Sequence, residues 1–239
     1  MKIHVEAGAD GAARAGARFI ASVAQAAVAA RGRFIMAVSG GQDPWRMFRF
    51  LASEQVSWKA VQVVQVDERV APPGDLERNL THLHESLFSH VPLLPEQIHA
   101  MPVDESDLEA AAGTYSQILR RIAGTPPVLD LVHLGLGPDG HTASLVPGDP
   151  VLEINDRDVA VTGVYQRRLR MTLTCPILNR ARHLMWLVTG PEKAEILGRL
   201  RDRDTSIPAS RISQKVAVVM TDLAAACVTD SAPKGVSCA

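Results

Sequence analysis

Short, mainly apolar runs, each ending in a polar or glycine-rich loop, constrain the fold of this chain more than any other feature. The run at residues 34–38 is continuous, as is typical of a strand that is buried on both faces of a sheet. The same layout recurs at residues 61–66, 128–134 and 184–188, so all four segments are predicted to be strands.

Segments with helical spacing separate these strands. Residues 12–30 are rich in alanine, carry bulky side chains at helical intervals and precede Gly32, which is a typical stop signal. Further helices are predicted at residues 43–53, 76–88, 106–122 and 192–200. This alternation predicts an α/β fold with a doubly wound, mostly parallel sheet and helices on both faces. Ligands bind such sheets at the carboxyl ends of the strands.

The length and charge of the chain limit the number of domains that it can form and the kinds of partner that it can bind. A chain of 239 residues can bury a full core, and without a repeat or an evident linker residues 1–239 are expected to form one domain. The 25 basic and 26 acidic residues give a formal net charge of −1. This balance offers no overall positive field for nucleic acid or an anionic membrane. A small polar substrate is the expected partner of a monomer or small homo-oligomer.

Cysteine use and the first residues of the chain indicate a cytoplasmic protein. Cys175, Cys227 and Cys238 are odd in number and widely spaced, which favours reduced thiols over a disulfide framework or a cysteine zinc site. The amino-terminal residues lack the apolar core of a signal peptide, and no apolar run is long enough to span a membrane. Residues 230–239 are expected to form a loose tail.

The glycine-rich loop after the third predicted strand is the most informative segment for chemistry. Residues 135–141 read G-L-G-P-D-G-H, which places Asp139 and His141 two positions apart. A carboxylate beside an imidazole suits proton transfer, although a glycine-rich turn with a surface histidine is the simpler alternative. The glycines also match the dinucleotide fingerprint G-x-G-x-x-G. That interpretation is disfavoured because Pro147 and Pro150 interrupt the helix that should bind the pyrophosphate.

The loop after the first predicted strand suits an anion. Ser39, Gly40 and Gly41 offer a hydroxyl and successive N–H groups directly before a predicted helix, an arrangement that binds phosphate. The same letters nearly match the nucleophile elbow G-x-S-x-G, with Ala37 in place of the first glycine, so a nucleophilic Ser39 is a minor alternative. An ordinary strand-to-helix turn explains this segment equally well.

Charged residues near other strand ends could complete a site at the same edge. Asp67 and Arg69 directly follow the second predicted strand, and Arg170 and Lys193 lie in polar segments farther along the chain. An arginine fork and a lysine ammonium can both clamp a phosphate, whereas solvated surface charge is the ordinary alternative. The spacing of histidine and cysteine is not typical of a metal site, so no metal is expected.

Taken in order, these segments resemble the glucosamine-6-phosphate isomerase/6-phosphogluconolactonase family. The resemblance extends from Ser39 to about Asp222 and is most specific over residues 135–147. It implies a single-domain, Rossmann-like sheet, no cofactor, and a phosphorylated sugar held by the Ser-Gly-Gly loop, Arg170 and Lys193. The family's deaminases carry a glutamate five residues after the loop histidine, where this chain has Val146. The resemblance therefore implies hydrolysis of a phosphorylated sugar lactone.

Two departures from the family pattern bear on the substrate. The Ser-Gly-Gly loop of the family usually continues with hydroxyl residues, where this chain has Gln42 and Asp43. A carboxylate there would repel phosphate unless it points away. The serine that precedes Asn79 in the family is replaced by Arg78, which is interpreted as an extra cation for the substrate.

On this interpretation His141 is the general base for attack of water on the lactone carbonyl, and Asp139 orients its imidazole. Arg69 would offset charge that develops on the carbonyl oxygen, while Asp67 would organise Arg69 or the sugar hydroxyls. Two other functions stay open: an amino-sugar-phosphate isomerase or deaminase in which Asp67 removes a proton from carbon, and a noncatalytic sugar-phosphate sensor. The intact pair of Asp139 and His141 argues against the sensor.

Overall fold

The structure is a computed structural model that describes residues 1–227. Its strands are β1 (Lys2–Glu6), β2 (Phe34–Val38), β3 (Val61–Gln65), β4 (Asp67–Arg69), β5 (Ile98–His99), β6 (Leu131–Leu134), β7 (Val159–Val161), β8 (Arg170–Leu173), β9 (Leu184–Val188) and β10 (Ala217–Asp222). Its helices are α1 (Ala9–Arg31), α2 (Gln42–Leu51), α3 (Asn79–Ser86), α4 (Leu108–Ala123), α5 (Cys175–Asn179), α6 (Ala194–Arg201) and α7 (Leu223–Ala226).

Seven strands form one sheet in the order β1-β10-β9-β6-β2-β3-β5, and each neighbouring pair is parallel. The remaining strands form a small antiparallel sheet in the order β4-β8-β7. All residues of β2 and β9 are buried, as their uninterrupted apolar sequences require. The predicted mostly parallel α/β sheet is confirmed.

Helices cover both faces of the large sheet because alternate residues of each strand point to opposite sides. Phe34, Met36 and Val38 of β2 share one core with residues of α1, α2 and α3. Ile35 and Ala37 of the same strand belong to a second core, which contains residues of α4, α5 and α6. The predicted doubly wound arrangement is therefore confirmed as well.

Several predicted boundaries agree with the structure. The strands predicted at 34–38 and 184–188 coincide with β2 and β9, and the helix predicted at 12–30 lies within α1. Gly32 ends α1 in the left-handed conformation, with φ of 70°, and its N–H donates to the carbonyl of Val28 at 2.8 Å. The residues at 135–149 contain no helix, in agreement with the argument against a dinucleotide site.

Other predicted boundaries were wrong. The helix expected at 76–88 begins only at Asn79, because the side chain of Asp75 accepts the N–H of Glu77 at 2.8 Å and closes a separate turn. The strand expected at 128–134 is confined to Leu131–Leu134. Residues 67–69 follow strand β3 as expected, but they form strand β4 of the small sheet instead of a loop.

Some expectations fall on residues that the structure does not describe. Cys238 and the expected tail at residues 230–239 lie outside the described part of the chain. Within residues 1–227, none of the helices combines the length and the apolar character that a membrane crossing needs.

The carboxylate of Asp130 fixes the beginning of β2 against the end of α1. Its Oδ1 accepts a hydrogen bond from Nη2 of Arg31 at 2.8 Å, and its Oδ2 accepts the backbone N–H of Ile35 at 2.9 Å. Arg182, which lies just before β9, approaches the same carboxylate to 3.4 Å. One buried anion therefore connects a helix end to two strands of the sheet.

Replacing Asp130 with alanine should lower the free energy of unfolding by roughly 2–4 kcal/mol, because the N–H of Ile35 and two guanidinium groups lose their shared acceptor. Denaturant unfolding followed by circular dichroism measures the change. Asp156→Ala is the matched control, since Asp156 is exposed and its 3.6 Å contact with Arg157 should contribute little. Equal losses in the two variants would contradict the role of Asp130.

Candidate active site

Eight of the nine predicted site residues line one cavity of about 320 Å³ at the carboxyl ends of the parallel strands. The ninth, Asp139, contacts the imidazole of His141, which lines the cavity. The eight lining residues are Ser39, Gly40, Gly41, Asp67, Arg69, His141, Arg170 and Lys193. Residues predicted from five separate segments of the sequence thus meet at one place.

The loop between β2 and α2 packs so tightly that one of its positions excludes any side chain. A Cβ atom on Gly40 would lie 1.9 Å from Oδ1 of Asn79. Gly41 is the N-cap of α2 and provides no side-chain acceptor, so the first-turn N–H groups are left for a ligand at the positive end of the helix. The loop therefore has the backbone geometry of an anion site.

The buried, neutral His133 hydrogen-bonds the backbone of this loop. The backbone N–H of Ser39 donates to Nδ1 of His133 at 3.3 Å, and Phe48 packs edge-to-face on the imidazole with ring centroids 5.5 Å apart. Burial lowers the pKa of His133 to about 3, so Nδ1 stays unprotonated as an acceptor. Nδ1 of His133 thus contacts the backbone N–H of Ser39 and not its hydroxyl, so this histidine is not placed as a base for a nucleophilic Ser39.

The pair of Asp139 and His141 is joined by a short contact of 2.5 Å between Oδ1 and Nδ1. Gly137 lies directly against the imidazole, since a Cβ there would be 2.0 Å from Nδ1. Partial burial raises the pKa of Asp139, but the charge of His141 and hydrogen bonds from His141 and Tyr165 outweigh burial and leave this pKa below its usual value. Because Nδ1 is engaged, Nε2 is the nitrogen left for a ligand.

Two arginines are placed side by side by the small sheet. Arg69 of β4 pairs directly with Arg170 of β8. Burial and then the charge of Arg69 lower the pKa of Arg170, while nearby acids, Asp67 first among them, oppose the shift. The Nε atoms of both arginines are buried without a hydrogen-bond partner. An anion in the cavity would relieve the repulsion between these two cations.

Lys193 and the buried Asp67, which also line the cavity, are both held by hydrogen bonds. Nζ of Lys193 donates to the carbonyl of Leu136 at 2.8 Å. Asp67 accepts the hydroxyl of Ser144 at 2.7 Å, and Nδ2 of Asn79 lies 3.5 Å from its other oxygen. Asn79 in turn accepts Nη1 of Arg69 at 2.8 Å, so Asp67 is connected to Arg69 through an amide.

The two departures in sequence have different consequences. Asp43 lines the cavity, and its carboxylate accepts the hydroxyl of Thr189. Arg78 was interpreted as a cation for the substrate, and that interpretation is wrong. Its side chain is buried outside the cavity, 3.8 Å from Glu68 and 3.7 Å from Asp104, because the buried charge of Glu68 needs a partner.

Comparison with known proteins decides the family. The model of the glucosamine-6-phosphate isomerases/6-phosphogluconolactonase family matches residues 7–221. The chain belongs to this family. It is 39% identical over 194 residues to the 6-phosphogluconolactonase of Mycobacterium tuberculosis, a match that covers 77% of this chain and 78% of the relative.

Two further members of the family support the assignment. The 6-phosphogluconolactonase of Synechocystis is 36% identical over 178 residues, covering 73% of this chain and 74% of that protein. The crystal structure of 6-phosphogluconolactonase from Thermotoga maritima superposes with a TM-score of 0.83 at 25% identity. That match covers 92% of this chain and 98% of the neighbour.

Several cavity and support residues of this family member were missed by sequence reasoning. Asn79 and Thr189 line the cavity, and Tyr165 donates to Asp139 at 2.9 Å. Asn79 closes a motif already noted and Thr189 follows a predicted strand, so position could have indicated both. Tyr165 lies 26 residues from Asp139 in a segment without a pattern. Among residues 1–227, no group of three or more His, Cys, Asp or Glu side chains is arranged to hold a metal ion.

The neutral His133 should make the protein sensitive to acid. Its folded pKa of about 3 lies below its ordinary value, so the unfolded chain binds a proton that the folded chain does not. The contribution of neutral His133 to the free energy of unfolding is therefore fully present above pH ~6.5. It is lost as the pH falls toward 3, by up to about 1.4 kcal/mol for each pH unit. We expect the Tm to fall over this range.

His133→Asn tests this origin, because the amide oxygen can still accept the N–H of Ser39 but does not titrate. The loss of Tm between pH 7 and pH 4, measured by scanning calorimetry, should be smaller in this variant than in the wild-type protein. His4→Asn is the control, since His4 is exposed on β1 and the same substitution there should leave the pH dependence unchanged. Parallel curves for His133→Asn and wild type would refute the explanation.

Proposed function

We propose that the chain hydrolyses 6-phospho-D-glucono-1,5-lactone to 6-phospho-D-gluconate, the hydrolytic step in the oxidative branch of the pentose phosphate pathway. The observation that carries the proposal is the position of the Asp139–His141 pair at the same cavity as the anion-binding loop, Arg170 and Lys193. The cavity thus combines a pair of side chains suited to proton transfer with groups suited to binding a phosphate. Membership of the family and relatives named 6-phosphogluconolactonase support the assignment.

In the proposed reaction, Nε2 of His141 takes a proton from a water molecule as its oxygen attacks C1 of the lactone. Asp139 holds Nδ1 and stabilises the imidazolium that forms. The tetrahedral intermediate then collapses, the bond from C1 to the ring oxygen breaks, and His141 returns the proton to that oxygen. The product is an open-chain acid that ionises at neutral pH.

Arginine side chains are proposed to stabilise the anions of the reaction. Arg69 lines the cavity and would offset the charge on the carbonyl oxygen in the tetrahedral intermediate. Arg170, Lys193 and the N–H groups of the Ser39–Gly41 loop would bind the phosphate. Asp67 is already an acceptor for Ser144 and Asn79, so its role is to keep Asn79 and Arg69 in place.

The deaminase alternative receives less support. It needs Asp67 as the base that removes a proton from carbon, but both oxygens of this carboxylate face hydrogen-bond donors. Val146, where deaminases of the family carry a glutamate, is buried and does not line the cavity. Lactone hydrolysis instead uses His141, whose contact with Asp139 occupies Nδ1 and leaves Nε2 as the base.

Decay of freshly generated 6-phosphogluconolactone should accelerate in the presence of the protein, whereas unphosphorylated gluconolactone should decay at nearly its spontaneous rate. His141→Ala should lower kcat by roughly 10²-fold or more, because the general base is lost. His4→Ala, the same change at an exposed histidine outside the cavity, should retain wild-type turnover. Absence of acceleration, together with melting shifted by 6-phosphogluconate, would instead favour the noncatalytic sensor.

Asp43 should weaken phosphate binding, because its carboxylate lies in the first turn of α2 at the proposed phosphate site. Asp43→Asn removes the charge with little change of shape, and it should lower the inhibition constant of inorganic phosphate by roughly threefold to tenfold. Asp43→Glu retains the charge and should show no such gain. Inhibition of lactone hydrolysis by phosphate measures both, and identical constants for Asp43→Asn and the wild type would show that the carboxylate does not face the anion.

A further inference from the structure

The hydroxyl of Tyr165 contacts both members of the Asp139–His141 pair. Its hydroxyl donates to Oδ2 of Asp139 at 2.9 Å, while Oδ1 of the same carboxylate contacts Nδ1 of His141 at 2.5 Å. The tyrosine oxygen also lies 3.3 Å from Nδ1, and the two rings meet edge-to-face with centroids 5.4 Å apart. Oδ1 also accepts the backbone N–H of His141 at 3.2 Å, so one carboxylate oxygen is bonded to His141 and the other to Tyr165.

A tight turn with an unfavourable backbone presents this tyrosine. The N–H of Tyr165 donates to the carbonyl of Arg168 at 2.9 Å, and the reverse bond measures 3.2 Å. The two residues between them, Gln166 and Arg167, have φ of 49° and 69°. Hairpin turns of this type favour glycine and asparagine, because other residues are strained at positive φ. Neither central residue of this turn is of the favoured type.

The same turn also reaches the cation side of the cavity. Oε1 of Gln166 accepts a hydrogen bond from Nη2 of Arg170 at 3.0 Å. The guanidinium carbon of Arg170 lies 5.0 Å from the centroid of the Tyr165 ring, within the range of a cation–π contact. Tyr165 therefore touches both the acid–base pair and one of the proposed phosphate ligands.

We propose that Tyr165 is a positioning residue for lactone hydrolysis, which fixes the rotamer of Asp139 so that the imidazole of His141 keeps its proton on Nδ1 and turns Nε2 to the cavity. The expected effect on kcat rests on the proposed function, whereas the hydrogen bonds of Tyr165 do not depend on it. Tyr165 itself does not line the cavity, so it acts through Asp139.

The charges around the pair are compatible with this role. Burial first, and then the hydrogen bond to Asp139, raise the pKa of Tyr165, so its hydroxyl stays protonated and can donate at neutral pH. Arg170 is the cation that faces Tyr165, and the charges of Asp67, Arg69 and Lys193 lie around the same cavity. Removing the hydroxyl takes away the donor to Oδ2 of Asp139, which raises the pKa of that carboxyl and makes the coupled acid–base pair more basic.

Tyr165→Phe keeps the ring and deletes the donor. We expect kcat to fall roughly tenfold or more with KM within threefold, because a misplaced general base affects the chemical step more than binding. The acidic limb of the pH profile should move to higher pH. In ¹⁵N spectra of the imidazole, recorded without substrate at neutral pH, His141 should change from the Nδ1–H tautomer to a mixture.

Tyr115→Phe is the matched control, since Tyr115 is the other tyrosine of the chain and its hydroxyl bonds Gln65 and His99 in the core. It should lower the Tm without changing the His141 tautomer or the pH profile. An unchanged tautomer or an unchanged kcat in Tyr165→Phe overturns the positioning role. A wild-type protein that does not hydrolyse the lactone overturns the proposed function instead, while the ¹⁵N spectra still decide whether Tyr165 orients His141.

Discussion

The carboxylate of Glu68 is completely buried, and four hydrogen bonds of 2.8 Å satisfy its two oxygens. The donors are the side chain of Gln65 and the backbone N–H groups of Arg69, Asn79 and Leu80. Two of these N–H groups belong to the first turn of α3, where a negative charge also interacts favourably with the helix dipole. This single anion therefore fixes the strand that carries Arg69 and the helix end that carries Asn79, and much of the cavity depends on it.

The small sheet adds an arrangement that folding alone would disfavour. Directly opposed like charges destabilise an antiparallel pair, yet Arg69 and Arg170 are such a pair in the register of β4 and β8. Asp67 and Glu68, on the same strand as Arg69, offset part of the repulsion. Both guanidinium groups line the cavity, so under the proposed function their positive charge would attract the anionic substrate. The proposed binding of phosphate would then offset the stability that this pair of like charges costs the small sheet.

The parts of the fold that were predictable are those in which a local pattern and the tertiary structure demand the same residues. The buried strand Phe34–Val38 is apolar because both of its faces are covered. The strand Lys2–Glu6 is exposed at the sheet edge and shows no apolar run, so its sequence carries no such signal. At the site, His141 and Asp139 were found because they are neighbours in the chain. Tyr165 reaches them only through the folding of a distant hairpin, which no spacing in the sequence records.

The pairing of β1 with β10 has a consequence for the order of assembly. Lys2 lies beside Val218 and Glu6 beside Asp222, so β1 finds its neighbour only after residues 7–216 have been synthesised. Contacts between such distant segments form late, because closing a long loop is entropically costly. During translation β1 must therefore wait outside the growing sheet while the strands of its interior associate. Completion of this edge follows the synthesis of β10 and belongs to a late stage of folding.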